Sequence, residues 1–240
     1  MLKSIFSAKL FLLLLILFVS TAFCFAKPSF EFSIDYSCLT ECSSSVEFTG
    51  NGIFHNYHEG SLQKKISSPA GLGGSATVFL GSPFKSLDVG IGSAVCYHLF
   101  SKCMLEDEDV KVDNGYVFSV EAGPAARLSF GKYTSLYVCP GVRFNLQNIK
   151  IKTDAGAMRY KEKNIMVNVS LGLREWLFST SKTSLGLDAG FDFAMPLNSF
   201  SDVEYSGNGT TLTENYKVTS GRLLKFYVGM CVNLGNRNAQ

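Results

Sequence analysis

The sequence alternates between apolar and polar positions in eight separate segments. In the segment LGLDAGFDFAM, every odd position from Leu185 to Met195 is apolar, while the even positions carry glycine, aspartate or alanine. A repeat of two residues is that of a β-strand whose two faces meet different surroundings. The eight segments cover residues 30–38, 71–80, 87–100, 116–130, 136–147, 164–176, 185–195 and 222–235. This pattern predicts an all-β chain.

The connections between these segments alternate in length. Residues 81–86, 131–135 and 179–184 form short connections. The long connections are residues 39–70, 101–115, 148–163 and 196–221. Transmembrane barrels join their strands by tight turns on one side and by long loops on the other, and an even number of strands leaves both termini on the turn side. We therefore predict an eight-stranded antiparallel up-and-down transmembrane β-barrel.

The two faces of the predicted strands differ in a way that favours a membrane barrel over a soluble protein. One face is apolar and carries no charge in the middle of the strands, as expected where a charge at the bilayer midplane would cost about 2–4 kcal/mol. The other face is rich in glycine, serine and asparagine. A secreted β-sandwich or a soluble lipid-binding barrel, the alternative folds, has no reason to place so many small residues on a solvated face, since glycine weakens strands. An eight-stranded barrel does have such a reason, because its interior is only just wide enough for side chains to fill.

The predicted inner face also carries ten charged residues. They are Glu31, Asp35, Asp88, Glu121, Arg127, Arg143, Arg174, Asp188, Asp192 and Lys225. Unpaired charges are costly in a narrow interior, so we expect these residues to pair in a network that fills the lumen. A narrow polar path is the alternative interpretation. His98 lies on the same predicted face and could join the network.

Residues 1–26 are predicted to be a signal peptide, and residues 27–240 the barrel domain. Two lysines precede an uninterrupted apolar run, Leu10–Val19, and small residues at Cys24 and Ala26 favour cleavage after Ala26. A lipidated Cys24 is the alternative, which the bulky Phe23 disfavours. Without the two lysines the chain has equal numbers of basic and acidic residues, which excludes a broadly basic nucleic-acid binder.

The cysteines allow two local disulfides. Cys38 and Cys42 are close in sequence, as are Cys96 and Cys103, so both pairs are candidates in an exported protein. Connectivity does not follow from spacing, and free thiols are the alternative.

Aromatic and proline residues add two expectations. The aromatic residues near the strand ends predict girdles at both membrane interfaces; they are Tyr36, Tyr97, Phe100 and Tyr116 on the loop side and Phe84, Phe130, Tyr133, Trp176 and Phe178 on the turn side. Pro124 and Pro140 fall nearly opposite each other within two predicted strands. Since proline removes a hydrogen bond from the ladder, we expect a bulge or a weakened rung there.

No catalytic or metal-binding arrangement is predicted. His55, His58 and Glu59 are close together in the first long connection, but their spacing is not that of an HExxH helix. The acidic stretch 105–113 lacks the glycine of a calcium-binding EF-hand loop. We therefore expect neither an enzyme nor a cofactor.

The last predicted strand resembles the signal that the barrel-assembly machinery recognises, through Tyr227, Gly229, Val232 and Leu234. Together with the signal peptide, the eight strands and the unequal connections, it resembles the small outer-membrane barrels: the OmpA transmembrane domain, OmpX and OmpW. This resemblance implies the bacterial outer membrane, with membrane lipids and the assembly machinery as partners. It also implies host surface molecules as candidate partners of the four long loops.

The same resemblance leaves two functions open. The first is a structural or surface-interaction protein with a plugged polar lumen. The second is a narrow passive channel for small apolar solutes, as in OmpW.

Overall fold

The computed structural model describes residues 28–47, 61–66, 70–84, 86–105, 108–153, 156–180, 182–207 and 210–235. The described residues form nine β-strands: β1 (Ser29–Glu47), β2 (Ser61–Ile66), β3 (Ala70–Phe84), β4 (Leu87–Leu105), β5 (Glu108–Phe130), β6 (Thr134–Thr153), β7 (Gly156–Ser179), β8 (Thr183–Gly207) and β9 (Thr210–Leu234). None of them forms a helix long and apolar enough to cross a membrane. The predicted signal peptide, His55, His58 and Glu59 lie outside the described residues.

Eight of these strands close into an antiparallel ring. From β3 to β9 each strand pairs with the next one in the chain, and β1 pairs with both β3 and β9. The closing ladder between β1 and β9 runs from the Phe30–Leu234 pair to the Glu47–Lys217 pair. Closure gives every wall strand a neighbour on both sides and leaves no open sheet edge, which is what a bilayer requires. The predicted eight-stranded antiparallel up-and-down β-barrel is confirmed.

The ninth strand, β2, lies within the first predicted long loop. It pairs with the end of β1 through Ser43 and Lys65, and with the end of β4 through Ile66 and Cys103. It therefore continues the line of β3 between the same two neighbours. The sequence of residues 46–54, with Asn51 and Gly52 near its centre, predicts a short strand pair, and most of these residues lie outside the described ones.

The other three predicted long loops are wrong, because most of their residues belong to strands. β4 continues to Leu105 and β5 begins at Glu108, so residues 101–115 are nearly all strand. Residues 148–163 and 196–221 likewise extend β6 to β9. We refer to this end of the barrel as the loop end, and to the end that carries the tight connections, such as residues 131–133, as the turn end.

The strand extensions reverse the polarity of the two faces. In the sequence IKIK (149–152), Ile149 and Ile151 are buried inside the barrel while Lys152 is exposed outside. Nearer the turn end the same strand turns Val142 and Phe144 outward and buries Arg143. The repeat of two residues therefore persists, but its apolar face changes side where the outer surface passes from an apolar to a polar environment.

The interior has a charged part and an apolar part. The apolar part fills the loop end with buried residues from several strands, namely Leu39, Cys42, Ile66, Phe100, Cys103, Val112, Val117, Ile149, Ile151, Tyr160, Met166, Ala194 and Leu223. A smaller cluster of Phe79, Ala125, Tyr137 and Cys139 lies among the charges. Outside, side chains such as Ile34, 74% exposed, and Val228, 56% exposed, form an apolar belt. Such a large exposed apolar surface is typical of contact with lipid.

Candidate functional site: the charged lumen

Glu31 is the centre of the ion pairs nearest the turn end. Its two carboxylate oxygens accept hydrogen bonds from Nη1 of Arg127 at 2.8 Å and from Nη1 of Arg174 at 2.6 Å. Arg127 also donates to Asp88, with Nη2 2.6 Å from Oδ2, and Nε of Arg174 donates to Oδ2 of Asp188 at 3.1 Å. Because β1, β5 and β7 are not neighbours in the ring, Glu31 ties together strands on different sides of the barrel.

Aromatic rings support the two arginines of this group. The guanidinium of Arg127 lies 4.3 Å from the ring centre of Phe79, and that of Arg174 lies 4.0 Å from the ring centre of Tyr137. These cation–π contacts compensate part of the cost of removing each guanidinium from water. Sequence reasoning did not find these two aromatic partners, although their inward positions on β3 and β6 follow from the strand alternation.

A second group of ion pairs lies nearer the middle of the barrel. Nε of Arg143 donates to Glu121 at 2.8 Å, and Nη2 of Arg143 lies 2.7 Å from Oδ2 of Asp192. The same Asp192 oxygen lies 2.5 Å from Nζ of Lys225. Glu121 also accepts hydrogen bonds from Asn168 at 3.1 Å and Ser170 at 3.2 Å. All of these are nearly fully buried, so the charges compensate one another rather than being solvated.

The structure places all ten predicted lumen charges on the inner face and joins nine of them in these two groups. Asp35 is the exception: among the described residues it has no ion pair, and its Oδ1 atom has no hydrogen-bond partner. Oδ1 of Asp188 is likewise without a protein partner. Both residues line a central cavity of about 30 Å³, which has room for one or two water molecules.

His98 does not take part in a catalytic arrangement within the described part of the chain. Its Nε2 atom shares a hydrogen bond of 2.8 Å with the hydroxyl of Ser37, and its Nδ1 atom has no hydrogen-bond partner. A nucleophilic serine needs a histidine that is itself oriented by a carboxylate, so the pair lacks the third member of a triad. The described residues also contain no group of three or more metal-binding side chains.

Both predicted disulfides are wrong. Cys38 and Cys96 carry free thiols. Cys96 and Cys103 are seven residues apart on one extended strand, a span of about 23 Å, whereas a disulfide needs Cα atoms within about 7 Å. Cys38 and Cys42 are four residues apart on β1, and Cys38 faces outward while Cys42 faces inward. Closeness in sequence misled the prediction because both pairs lie within strands.

Two residues assigned to the aromatic girdles lie inside the barrel instead. Trp176 is 1% exposed and donates from Nε1 to the hydroxyl of Ser135 at 3.1 Å, and Phe100 belongs to the apolar cluster at the loop end. Both occupy positions of inward parity on their strands. The other predicted girdle residues are outward and at least partly exposed, and Tyr97 stacks on Tyr116 with ring centres 5.6 Å apart.

The two prolines interrupt the ladder between β5 and β6. Pairing runs through Ala122 and Val142, stops, and resumes at Ala126 and Val138 in unchanged register. Pro124 and Pro140 face each other within this gap, so the structure has a weakened rung and no bulge at this point.

The four residues of the predicted assembly signal lie on β9, the strand that closes the ring with β1. Val232 and Leu234 are on the outer face. Tyr227 projects inward, where the absence of a side chain at Gly190 makes room for it: a Cβ there would lie 2.6 Å from the Tyr227 hydroxyl. Nζ of Lys225 lies 5.4 Å from the centre of the Tyr227 ring.

Comparisons with known proteins agree with this architecture. The outer membrane protein OprG from Pseudomonas aeruginosa is similar in structure, with a TM-score of 0.56 over 86% of this chain and 96% of OprG at 11% identity. The chain has the fold of the small outer-membrane β-barrels. A major outer membrane protein from Thermus thermophilus covers 85% of the chain and 99% of its own length with a TM-score of 0.48 at 12% identity. Ail from Yersinia pestis covers 87% of the chain and 100% of its own length with a TM-score of 0.44 at 13% identity.

The barrel fold is the extent of this similarity. No protein-family model matches the chain, and no curated protein matches it in sequence.

Proposed function

We propose that this protein is an integral barrel of the bacterial outer membrane, that its lumen is closed, and that it has a structural or surface-interaction role through the part of the barrel at the loop end. Residues 1–26 direct its export, with cleavage after Ala26. The mature protein then begins at Lys27, which N-terminal sequencing of the membrane fraction would test.

The filling of the lumen is the observation that carries this proposal. Two groups of buried ion pairs cross the barrel, and the cavity among them has a volume of about 30 Å³. A second cavity, of about 10 Å³, lies nearer the loop end beside Gln147 and Leu223. Even the larger of these holds only one or two water molecules. Beyond the charges, the apolar cluster at the loop end adds a second layer that hydrated ions would have to cross.

Recordings from planar bilayers test the closed lumen. We expect the purified mature protein to insert and to show no steady conductance above that of the bare bilayer, in both high and low salt. Insertion is checked independently by protection of the barrel from protease in proteoliposomes. A reproducible unitary conductance from protein inserted in this way would overturn the proposal.

The second candidate function is a narrow passive route for small apolar solutes. The apolar inner surface at the loop end favours it, because such a surface would admit apolar solutes more readily than ions. The small cavity volumes count against it. Uptake of an apolar dye precursor into proteoliposomes distinguishes this route from a closed lumen. An uptake rate equal to that of protein-free liposomes would exclude the route.

We further infer that Tyr227, Gly229, Val232 and Leu234 are read by the barrel-assembly machinery. Their position on β9 supports this role, because β9 has an unpaired edge until it pairs with β1 and closes the ring. Replacing Val232 and Leu234 by serine should reduce the amount of folded barrel in cells, while refolding of the same variant in detergent should proceed. Equal loss in both settings would indicate a general folding defect instead.

A further inference from the structure

Asp35 is a buried carboxylate that the two groups of ion pairs leave out. It is 7% exposed, it forms no ion pair among the described residues, and its Oδ1 atom has no hydrogen-bond partner among them. A carboxylate removed from water without a partner is costly, and a buried polar atom of this kind is typical of a place that holds a water molecule or an ion. Asp35 therefore needs a partner that the described side chains do not supply.

The charge balance of the lumen indicates the sign of this partner. The ten lumen charges comprise six carboxylates and four basic groups. The second group of ion pairs is balanced, with two carboxylates and two basic side chains. The group nearest the turn end has one carboxylate in excess, but the side chain of Asp88 there is 17% exposed and partly solvated. Asp35 lies deeper in the lumen, so a positive charge beside it would stabilise the barrel most.

The charged groups around Asp35 add to this demand. Lys225 attracts the Asp35 carboxylate, but three other carboxylates repel it. These are Asp192, Asp188 and Glu121. Nζ of Lys225 is itself 2.5 Å from Oδ2 of Asp192 and 3.1 Å from Sγ of Cys96, so its hydrogen bonds go to those atoms. The space beside Asp35 is therefore favourable for a cation.

Glycines leave room for a small ligand on both sides of Asp35. Its direct partners are Gly73 on β3 and Gly229 on β9. The carboxylate lies over Gly73, where a Cβ atom would be 2.7 Å from Oδ1 of Asp35 and 2.9 Å from Sγ of Cys96. Asp35 also lines the central cavity of about 30 Å³. A single small ion fits beside the carboxylate, whereas a large one does not.

Two serines, one level nearer the turn end, supply neutral oxygen atoms. Ser33 and Ser75 are cross-strand partners, share a hydrogen bond of 2.7 Å and line the same cavity as Asp35. Each hydroxyl group has one proton and two lone pairs, so the shared hydrogen bond leaves both oxygen atoms with a lone pair for a further contact. A carboxylate and neutral oxygens are the ligands that hard cations prefer.

From this charge, space and set of oxygen atoms we propose that the central cavity binds one monovalent cation, sodium or potassium, through Asp35, Ser33 and Ser75. A divalent ion is disfavoured, because the described residues contain no group of three or more metal-binding side chains and the uncompensated charge of Asp35 is single. This inference goes beyond the function proposed above, since it depends on the charges of the lumen and not on the role of the loop end.

Urea unfolding of the mature protein in a non-ionic detergent tests the site. Sodium chloride or potassium chloride replaces N-methyl-D-glucamine chloride at constant total concentration, because the organic cation is too large for the cavity. A ligand that binds only the folded state raises the folding equilibrium constant about tenfold for each tenfold rise in its concentration above the dissociation constant. We expect this dependence for at least one of the two metal ions. Its absence for both would overturn the proposal.

The variant D35N keeps the shape of the side chain and removes its charge. We expect its stability to be independent of sodium and potassium, because the charged ligand of the cation is gone. D113N is the matched control, since Asp113 is an exposed carboxylate on the outer face that pairs with Lys152. It should keep the dependence of the unchanged protein. An equal dependence in D35N and D113N would assign the effect to a different site and overturn the proposal.

Thallium(I), which replaces potassium in many sites, provides a measurement that needs no variant to fold. We expect crystals of the unchanged protein soaked in thallium(I) acetate to show one anomalous difference peak in the lumen, beside Asp35. A lumen without this peak would overturn the proposal and leave a water molecule or a proton as the partner of Asp35. Bilayer conductance tests the closed lumen separately: a conducting barrel that shows the peak would refute the closed lumen and keep the cation site.

Discussion

Glu31 and Arg174 form a buried ion pair across the barrel, with Oε1 of one 2.6 Å from Nη1 of the other, although 143 residues separate them in the chain. Their strands, β1 and β7, are three steps apart in the ring. The pair therefore acts as a strut inside the lumen rather than as a cross-strand contact in the wall. The first prediction concerns this strut.

Replacing Glu31 by alanine should lower the free energy of unfolding by about 3 kcal/mol, because Arg127 and Arg174 would remain buried with one carboxylate fewer between them. Urea unfolding in detergent micelles measures this change. Glu175 is the matched control, since it is exposed and accepts a hydrogen bond only from Thr134 among the described contacts. We expect E175A to change stability by less than about 0.5 kcal/mol. Equal effects of the two substitutions would refute the strut.

The central group of ion pairs predicts an order of effects. Arg143 contacts both Glu121 and Asp192, whereas Lys225 shares Asp192 with it. Replacing Arg143 by methionine leaves Glu121 without a basic partner, so it should cost more stability than replacing Lys225 by methionine. Removal of one partner of a buried pair costs about 3–5 kcal/mol. Melting curves in detergent give the order, and a larger loss for K225M would contradict it.

The weakened rung between β5 and β6 requires a glycine at position 123. A Cβ atom there would collide with the carbonyl oxygen of Pro140 and approach Cα of Gly141 to 2.6 Å. G123V should therefore unfold more easily by about 2 kcal/mol or more, the scale of an overpacked interior site. The adjacent Ala122 faces outward, and A122V should be neutral. The absence of a difference between the two variants in heat-shift gels would argue against the packing described for this rung.

The apolar belt predicts a penalty for charge in the middle of the membrane. Val142 lies on the outer face and is exposed. An arginine there should cost about 2–4 kcal/mol in a lipid bilayer, whereas V142L should be neutral. Equilibrium folding into phospholipid vesicles measures both. If V142R folds as well as V142L, the outer face of β6 does not contact acyl chains at that level.

The cysteines predict a chemical result. Neither a disulfide between Cys38 and Cys42 nor one between Cys96 and Cys103 should form, because each pair is separated along a single strand. Peptide mapping under non-reducing conditions checks this. Recovery of either cross-linked peptide from the folded barrel would require a break in β1 or β4.

The sequence predicted the wall of the barrel because one physical rule governs it. Each strand turns one face to the apolar surroundings and the other to a narrow interior, so a repeat of two residues identifies both the strands and their orientation. The extensions were missed because that rule reverses beyond the apolar belt. Ile149 and Ile151 pack inside the barrel at the loop end, whereas Arg143 and Asn145 lie inside it nearer the turn end. A search for a single continuous apolar face therefore mistakes the reversed segment for a loop.

The candidate site shows the same limit. The alternation along each strand was enough to predict which ten charged residues face the lumen. It could not predict which of them form ion pairs, because pairing across the lumen depends on how the strands are staggered around the ring. Glu31 pairs with Arg127 and Arg174, while Asp35, four residues further along the same strand, forms no ion pair among the described residues.

Fluorescence quenching by brominated phospholipids tests most directly which face of the barrel contacts lipid. Trp176, the only tryptophan in the chain, is 1% exposed inside the barrel, and Leu173, on the same strand, is 53% exposed outside. We predict weak quenching of the native protein and strong quenching of the double variant W176F/L173W. Strong quenching of native Trp176, with weak quenching of the double variant, would contradict the assignment of the two faces.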